Sequence, residues 1–444
     1  MQIVAAINKT VWGVPMLLLV MSCGIYLSAR LGFFQITKFP LWSRETFGTL
    51  LKRQKKANGR ITPYQAVASA LASSIGTGNI VGVATAITAG GAGAVFWMWV
   101  SALLGMATKY AEIFLSVKFR MERNGEYYGG PMHYIKNGLG KGYSWLAVLF
   151  AISGAFACLG MGAMSQSNSI SSVVGFFTGT PEWVTGFVVA AIAAIAMSGG
   201  ISRISHFAEK MVPLMAGLYI LGGIGIIIIS PHSTLHAMHE IFASALTPQA
   251  IYGAGAGSMI KKAIRFGVAR GVFSNEAGLG SAPLVHAAAD AKSPMHQGFW
   301  GMFEVFVDTI IVCTVTAIAV IGSGCHTENA LGAALVTRAF QIFFGDFGGV
   351  FVAVATVLFA LSTILGWSYY GERCVAYLSR ENEHLSKAYR GAFVAAVALG
   401  AVLRVESVWE IGDMFNGIMM IPNLIAVILL SRTVIRETRK ELWE

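Results

Sequence analysis

Two glycine-rich, polar strings interrupt otherwise apolar stretches of this 444-residue chain. The first is Ser73-Ser74-Ile75-Gly76-Thr77-Gly78-Asn79, and the second is Ser274-Asn275-Glu276-Ala277-Gly278-Leu279-Gly280-Ser281. A helix in lipid cannot leave backbone N–H and C=O groups unpaired, so irregular backbone at membrane depth persists only where it faces protein or a polar cavity. A matched pair of such breaks, one in each half of a chain, is the sequence pattern of a transporter's binding site.

The apolar runs establish the membrane setting. The chain is 55% hydrophobic and 12% charged, whereas soluble domains run near 25% charged. The runs are continuous rather than alternating, which excludes a β-barrel. Eleven segments read as spans: 11–31, 63–90 (broken), 94–118, 145–177, 183–202, 211–230, 255–290 (broken), 298–322, 347–371, 389–405 and 410–431. The expected fold is therefore an all-α polytopic membrane protein with about eleven transmembrane helices. Five spans follow residue 63 and five follow residue 249, with the two broken helices running in opposite directions. That gives an inverted repeat: 1–62 an extra N-terminal helix and basic loop, 63–230 the first repeat, 249–431 the second, and 432–444 a tail. The first run is expected to be a retained span rather than a signal peptide, because only Lys9 precedes it whereas a strongly basic stretch follows it.

Loop charge sets the expected orientation. The loop from Arg30 to Arg60 holds Lys38, Arg44, Lys52, Arg53, Lys55 and Lys56 against one acid, Glu45. It is expected in the cytoplasm, with the N-terminus outside and the C-terminal tail inside. The loops 119–144, 203–210 and 371–390 carry basic residues on the same side, and 231–254 carries none. The net charge of +10 thus reflects membrane orientation, not nucleic-acid binding. Against this scheme, Lys261, Lys262, Arg265 and Arg270 fall in the outer half of the second broken helix, where they would line a vestibule or snorkel. The five cysteines show no metal or disulfide spacing, and His232, His236 and His239 read as an exposed loop face. No phosphate-binding Gly-x-x-x-x-Gly-Lys string occurs.

The breaks carry chemistry of two signs. The half-helix that begins at a break offers free N–H groups and a partial positive charge, which suit a carboxylate. The half that ends there offers carbonyls, which suit a small hard cation. Gly76 and Gly78 permit close backbone approach, and Thr77 and Asn79 add polar side chains. Glu276 is the one acid inside a break; a cation ligand, a proton carrier and a cap for freed amides near Arg270 are all open roles. Glu304 and Asp308 share a helix face toward the bundle. Lys109 and Glu112 are expected to pair with each other. Polar clusters also occur at Gln166, within 165–169, and at Ser362 and Thr363. Adjacent hydroxyls facing an unwound helix are suited to complete a sodium shell, although such residues usually bond their own i−4 carbonyls.

The strings 73–86 and 271–283, together with Tyr127-Tyr128-Gly129-Gly130-Pro131-Met132 and Gly366-Trp367-Ser368-Tyr369-Tyr370-Gly371-Glu372, resemble the alanine or glycine:cation symporter family over nearly the whole chain. The resemblance implies sodium-coupled uptake of a small neutral amino acid across a bacterial or archaeal plasma membrane, and a leucine-transporter-type fold. It implies that amides around Gly76, Thr77 and Gly78 take the substrate carboxylate, with Asn79, Gln166, Phe273, Ser274, Asn275 and Trp367 completing the pocket. It further implies that Ala72, Ile75, Phe359, Ser362 and Thr363 hold the sodium ion. No enzyme is expected, since no nucleophile–base pair or metal cluster appears. The alternatives are a proton-coupled carrier using Glu276 or Asp308, a glutamine- or serine-preferring carrier of the same fold, and a channel.

Overall fold

The computed structural model describes residues 2–49, 60–123, 125–246, 256–327, 332–403 and 405–443. The basic residues Lys52, Arg53, Lys55 and Lys56 lie outside these ranges, as does the connection 247–255.

The helices, in chain order, are α1 (Gln2–Val11), α2 (Val14–Arg30), α3 (Pro63–Ser74), α4 (Val81–Gly90), α5 (Gly93–Lys118), α6 (Lys141–Thr178), α7 (Glu182–Met197), α8 (Gly200–Ile229), α9 (Pro231–Leu246), α10 (Ala256–Asn275), α11 (Pro283–His286), α12 (Pro294–Gly322), α13 (Gly332–Phe344), α14 (Asp346–Leu378), α15 (Glu383–Gly400) and α16 (Val405–Trp443). Among the described residues the only sheet is a two-stranded ribbon, Met121–Arg123 with Glu126–Tyr128.

Among the described residues seven helices are long and apolar enough to cross a membrane, and α3 with α4, bent by 58° at their break, makes an eighth. Three of the eleven expected segments fall short by that measure. Helix α7 has 16 residues, α10 carries four basic residues, and α15 carries Glu383, Lys387 and Arg390. The loop expected at 203–210 is instead the first third of α8, and the tail from 432 continues α16 to Trp443. Hydropathy cannot distinguish a charged helix end from a loop, which accounts for both corrections.

Local chemistry fixes the key helix starts. Thr62 and Gln65 form a reciprocal capping box with Pro63 at the first position of α3, satisfying amides that the helix leaves unpaired. The Ser293 hydroxyl oxygen caps α12 by accepting from the His296 N–H at 3.1 Å, with Pro294 at the first helical position. Helix α5 is the central post. Glycines let its neighbours approach its backbone: a Cβ at Gly267 of α10 would sit 2.3 Å from the Ala94 carbonyl oxygen, and one at Gly271 would sit 2.4 Å from Ser101 Oγ. Two π-helical turns, Cys158–Met164 in α6 and Phe306–Cys313 in α12, flank the bundle centre; such turns are frequent at functional sites.

The molecule has two unlike ends. One gathers Arg30, Arg60, Lys118, Arg373 and Arg390, with ion pairs Arg60–Glu122, Lys118–Glu437 and Arg390–Glu372. The other gathers Asn8, Lys9 and the first half of α10.

Candidate substrate and ion site

The first break begins where the α3 hydrogen-bond ladder fails. Ile75 N–H still reaches the Leu71 carbonyl at 2.8 Å. The next amide, Gly76 N–H, turns to the Asn79 side-chain oxygen at 2.9 Å, which deprives the Ala72 carbonyl of its helical donor. Asn79 N–H goes to the Gly76 carbonyl, so Ile75 loses its donor too. Thr77 N–H lies 3.5 Å from Gln166 Oε1, a long contact, and the Thr77 hydroxyl donates to the same oxygen at 3.1 Å. The Ser73 carbonyl accepts from the Trp367 indole N–H at 3.2 Å.

The freed carbonyls meet α14. Thr363 Oγ1 lies 3.4 Å from the Ala72 oxygen, 3.5 Å from that of Ile75 and 2.9 Å from that of Phe359. One hydroxyl carries one proton, so it cannot satisfy three carbonyls. The excess of oxygen acceptors is the donor set a hard monovalent cation requires. Ser362 is adjacent but directs its proton to Phe359 O at 2.9 Å and Met215 Sδ at 3.4 Å. Gly76 is obligatory here, because a Cβ would stand 2.6 Å from Thr363 Oγ1.

The second break is built differently. Helix α10 closes with Glu276 N–H on the Val272 carbonyl. The chain then turns through Gly278 at φ 93° and Gly280 at φ 80°. Ala277 N–H bonds Asn275 Oδ1 at 3.0 Å, and the Gly278 carbonyl accepts from Asn423 Nδ2 at 2.8 Å. Beyond the turn stands only the single-turn α11, so the expected second half-helix through 290 is absent. Lys109 Nζ binds the Asn275 carbonyl at 2.9 Å and Glu304 at 3.0 Å, with both charged groups fully buried. A cation at a helix C-terminus is favourable. The expected Lys109–Glu112 pairing is thereby corrected: Glu112 bonds the Asn423 amide instead.

Asp308, in the π turn of α12, ties the two breaks together. It accepts from Asn79 Nδ2 at 2.8 Å and from Ser274 Oγ at 2.8 Å. Asn275 Nδ2 reaches Thr309 Oγ1 at 3.1 Å.

Between the breaks lies a cavity lined by Ser73, Ser74, Gly76, Gly78, Met161, Gln166, Phe273, Glu276, Thr363, Trp367 and Asn416, with a volume of about 20 Å³. That is room for about one water. On the far side of Phe273 opens a vestibule of about 230 Å³ that includes Lys9, Arg265, Arg270 and Asp413. Phe273 lines both spaces and stacks on Trp409 at 5.9 Å. The outer-half cations of α10 thus have a place: Arg265 and Arg270 line the vestibule, while Lys261 and Lys262 are exposed.

Of the substrate residues read from the sequence, Gly76, Gly78, Gln166, Phe273 and Trp367 line the cavity, and Thr77 bonds Gln166. Asn79, Ser274 and Asn275 turn away from it to Asp308 and Thr309. Sequence reasoning left out Met161 and Asn416, whose apolar or isolated positions gave no signal, and did not assign to the pocket Ser73 and Ser74, although both belong to the first polar string. Of the roles left open for Glu276, a cap for freed amides near Arg270 is not what the carboxylate does here: it accepts from the Trp367 indole at 3.1 Å and from the Ser281 hydroxyl. Among the described residues no group of His, Cys, Asp and Glu forms a metal cluster.

A broken helix and a second, glycine-turned break meet inside an all-helical apolar bundle, with the freed Ala72 and Ile75 carbonyls turned to Thr363 and the Thr77 amide loosely held by Gln166, the arrangement of a membrane carrier. The profile of the Sodium:alanine symporter family matches residues 1–441, and the chain belongs to that family. It is 44% identical to the sodium/alanine symporter AgcS of Methanococcus maripaludis, covering 99% of this chain and 96% of that one. It is 34% identical to the probable sodium/glutamine symporter GlnT of Bacillus subtilis, over 98% and 89% of the two chains. It is 33% identical to the putative sodium/proton-dependent alanine carrier protein YrbD of the same organism, over 97% and 90%. The protein is a multi-pass transporter, not an enzyme.

Proposed function

We propose that the protein imports a small neutral amino acid, alanine or glycine, together with sodium by alternating access. The observation that carries this reading is the convergence of the donor-stripped Ala72 and Ile75 carbonyls on Thr363, beside the amides of Gly76 and Thr77. Sodium sits among the Ala72, Ile75 and Phe359 carbonyls and the Thr363 and Ser362 hydroxyls. The substrate carboxylate replaces the long Thr77–Gln166 contact, and Phe273 and Trp367 bound the side chain. Asn79, Ser274 and Asn275 hold the breaks in shape around it. The names of the relatives at 44% and 33% identity support alanine; that of the relative at 34% supports glutamine as the rival substrate.

A zwitterion carries no net charge, so the ion supplies the drive. One sodium ion crossing 100 mV supplies about 2.3 kcal/mol, and a tenfold sodium gradient adds about 1.4 kcal/mol. Together they support roughly 500-fold accumulation at full coupling. Repeats 63–230 and 249–431 each contribute one signature string, and the two strings, joined through Asp308, move together against the face of α14 to give the alternation. The strongly basic end faces the cytoplasm and the N-terminus faces outward.

Uptake of radiolabelled alanine into proteoliposomes under separate sodium, lithium, potassium and proton gradients tests the reading. Accumulation driven by sodium alone is expected. Accumulation under a proton gradient without sodium assigns the coupling to a buried carboxylate instead, Glu276 or Asp308.

A further inference from the structure

Four non-glycine residues have positive φ among the described residues: Phe33, Glu276, Arg380 and Glu381. Three lie at helix ends near the surface; Glu276, at φ 58°, is 2% exposed. Two positions later the same backbone region is occupied by glycine, which adopts it without strain. A buried acid held where glycine would be easier is a place to look for function.

Its carboxylate lines the cavity opposite the first break. One oxygen accepts from the Trp367 indole at 3.1 Å and the other from the Ser281 hydroxyl. Two neutral donors leave acceptor sites open on a carboxylate. No ion-pair partner faces it among the described residues, since Lys109, the buried lysine nearby, is bonded to Glu304 and to the Asn275 carbonyl. A buried carboxylate without a cation is costly. The cavity is therefore acidic on the Glu276 wall, and across it stands the first break, where the Thr77 amide is held only by a 3.5 Å contact to Gln166. That is the polarity of an α-amino acid lying across it.

We propose that Glu276 receives the α-ammonium of the substrate and so selects amino acids over hydroxy acids and simple carboxylates. This rests on the carrier reading given above, and it adds the group that recognises the amine. Trp367 and Ser281 act as positioning residues that fix the carboxylate's rotamer.

Proteoliposomes loaded for sodium-driven uptake are assayed with alanine, with lactate and propionate as competitors. In the wild type, lactate competes at least 100-fold more weakly than alanine. Glu276→Gln raises the alanine KM about 10- to 100-fold at saturating sodium. It also brings alanine and lactate to similar affinities and moves sodium half-saturation less than twofold. Glu276→Asp keeps the preference for alanine. A Glu276→Gln variant with the wild-type preference overturns the proposal, as does a shift in sodium half-saturation with that preference intact. Should the variant fail to fold, an experimental structure of the wild type with alanine bound decides: the ammonium within hydrogen-bond distance of Glu276 supports the assignment, and an ammonium elsewhere overturns it. A wild type that accumulates no neutral amino acid under sodium defeats the parent reading, whereas uptake with an unmoved preference defeats this one alone.

Discussion

At Gly76 the backbone is extended, with φ −136°, a conformation open to any residue; at Gly278 and Gly280 it lies at φ 93° and 80°. The two Gly-x-Gly strings therefore use glycine for different reasons. In the first break the missing side chain makes room: Thr363 Oγ1 occupies the space a Cβ would need at Gly76, and the Phe273 ring lies 3.5 Å from one at Gly78. In the second break glycine supplies dihedrals, and the surrounding amides and carbonyls are already bonded to protein. On the proposed reading the first break holds the ligands, while the second turns the chain and aims Glu276.

Substitutions should separate these roles. The largest effect is expected from Gly280→Ala, which meets both a left-handed backbone and Pro131 Cγ at 2.6 Å. A loss of about 3 kcal/mol of stability follows, read as a depressed unfolding midpoint in detergent; unchanged stability breaks the comparison. Gly76→Ala should fold nearly normally yet lose transport about 100-fold, because the new methyl displaces Thr363. Loss of the folded protein in that variant would mean that the first break is structural after all. Thr363→Val should raise the sodium half-saturation constant about tenfold, while alanine affinity at saturating sodium holds; unchanged sodium dependence removes Thr363 from the ion shell. Gly78→Ala, with only ordinary contact at 3.5 Å, should leave stability intact. It should reduce uptake a few-fold, more for serine than for glycine, and equal losses for both would argue that the cavity is not narrowed there.

The first break was legible in the sequence because dense polarity inside an apolar run has no bland explanation in a membrane. The all-helical class was legible for the same reason. The Lys109–Glu304 pair was not, since its members lie far apart in sequence and Glu112 offered a nearer partner at helical spacing. Nor were Met161 and Asn416, which reach the cavity only through tertiary packing. Helix α13 was missed because it is short and sits where a loop was expected. Glu276 stood out as an acid in a break, but its direction depends on a single dihedral that no pattern of residues specifies.

Asp308 clasps Asn79 from one signature string and Ser274 from the other, so both strings are stapled to the same turn of α12. While that staple holds, the two strings travel as one body, and opening the site requires slip somewhere else. The seams left for it are the face that α14 presents to the first string and the aromatic lid of Phe273 on Trp409, so on the proposed carrier reading the ion's seat lies across the boundary that must shear.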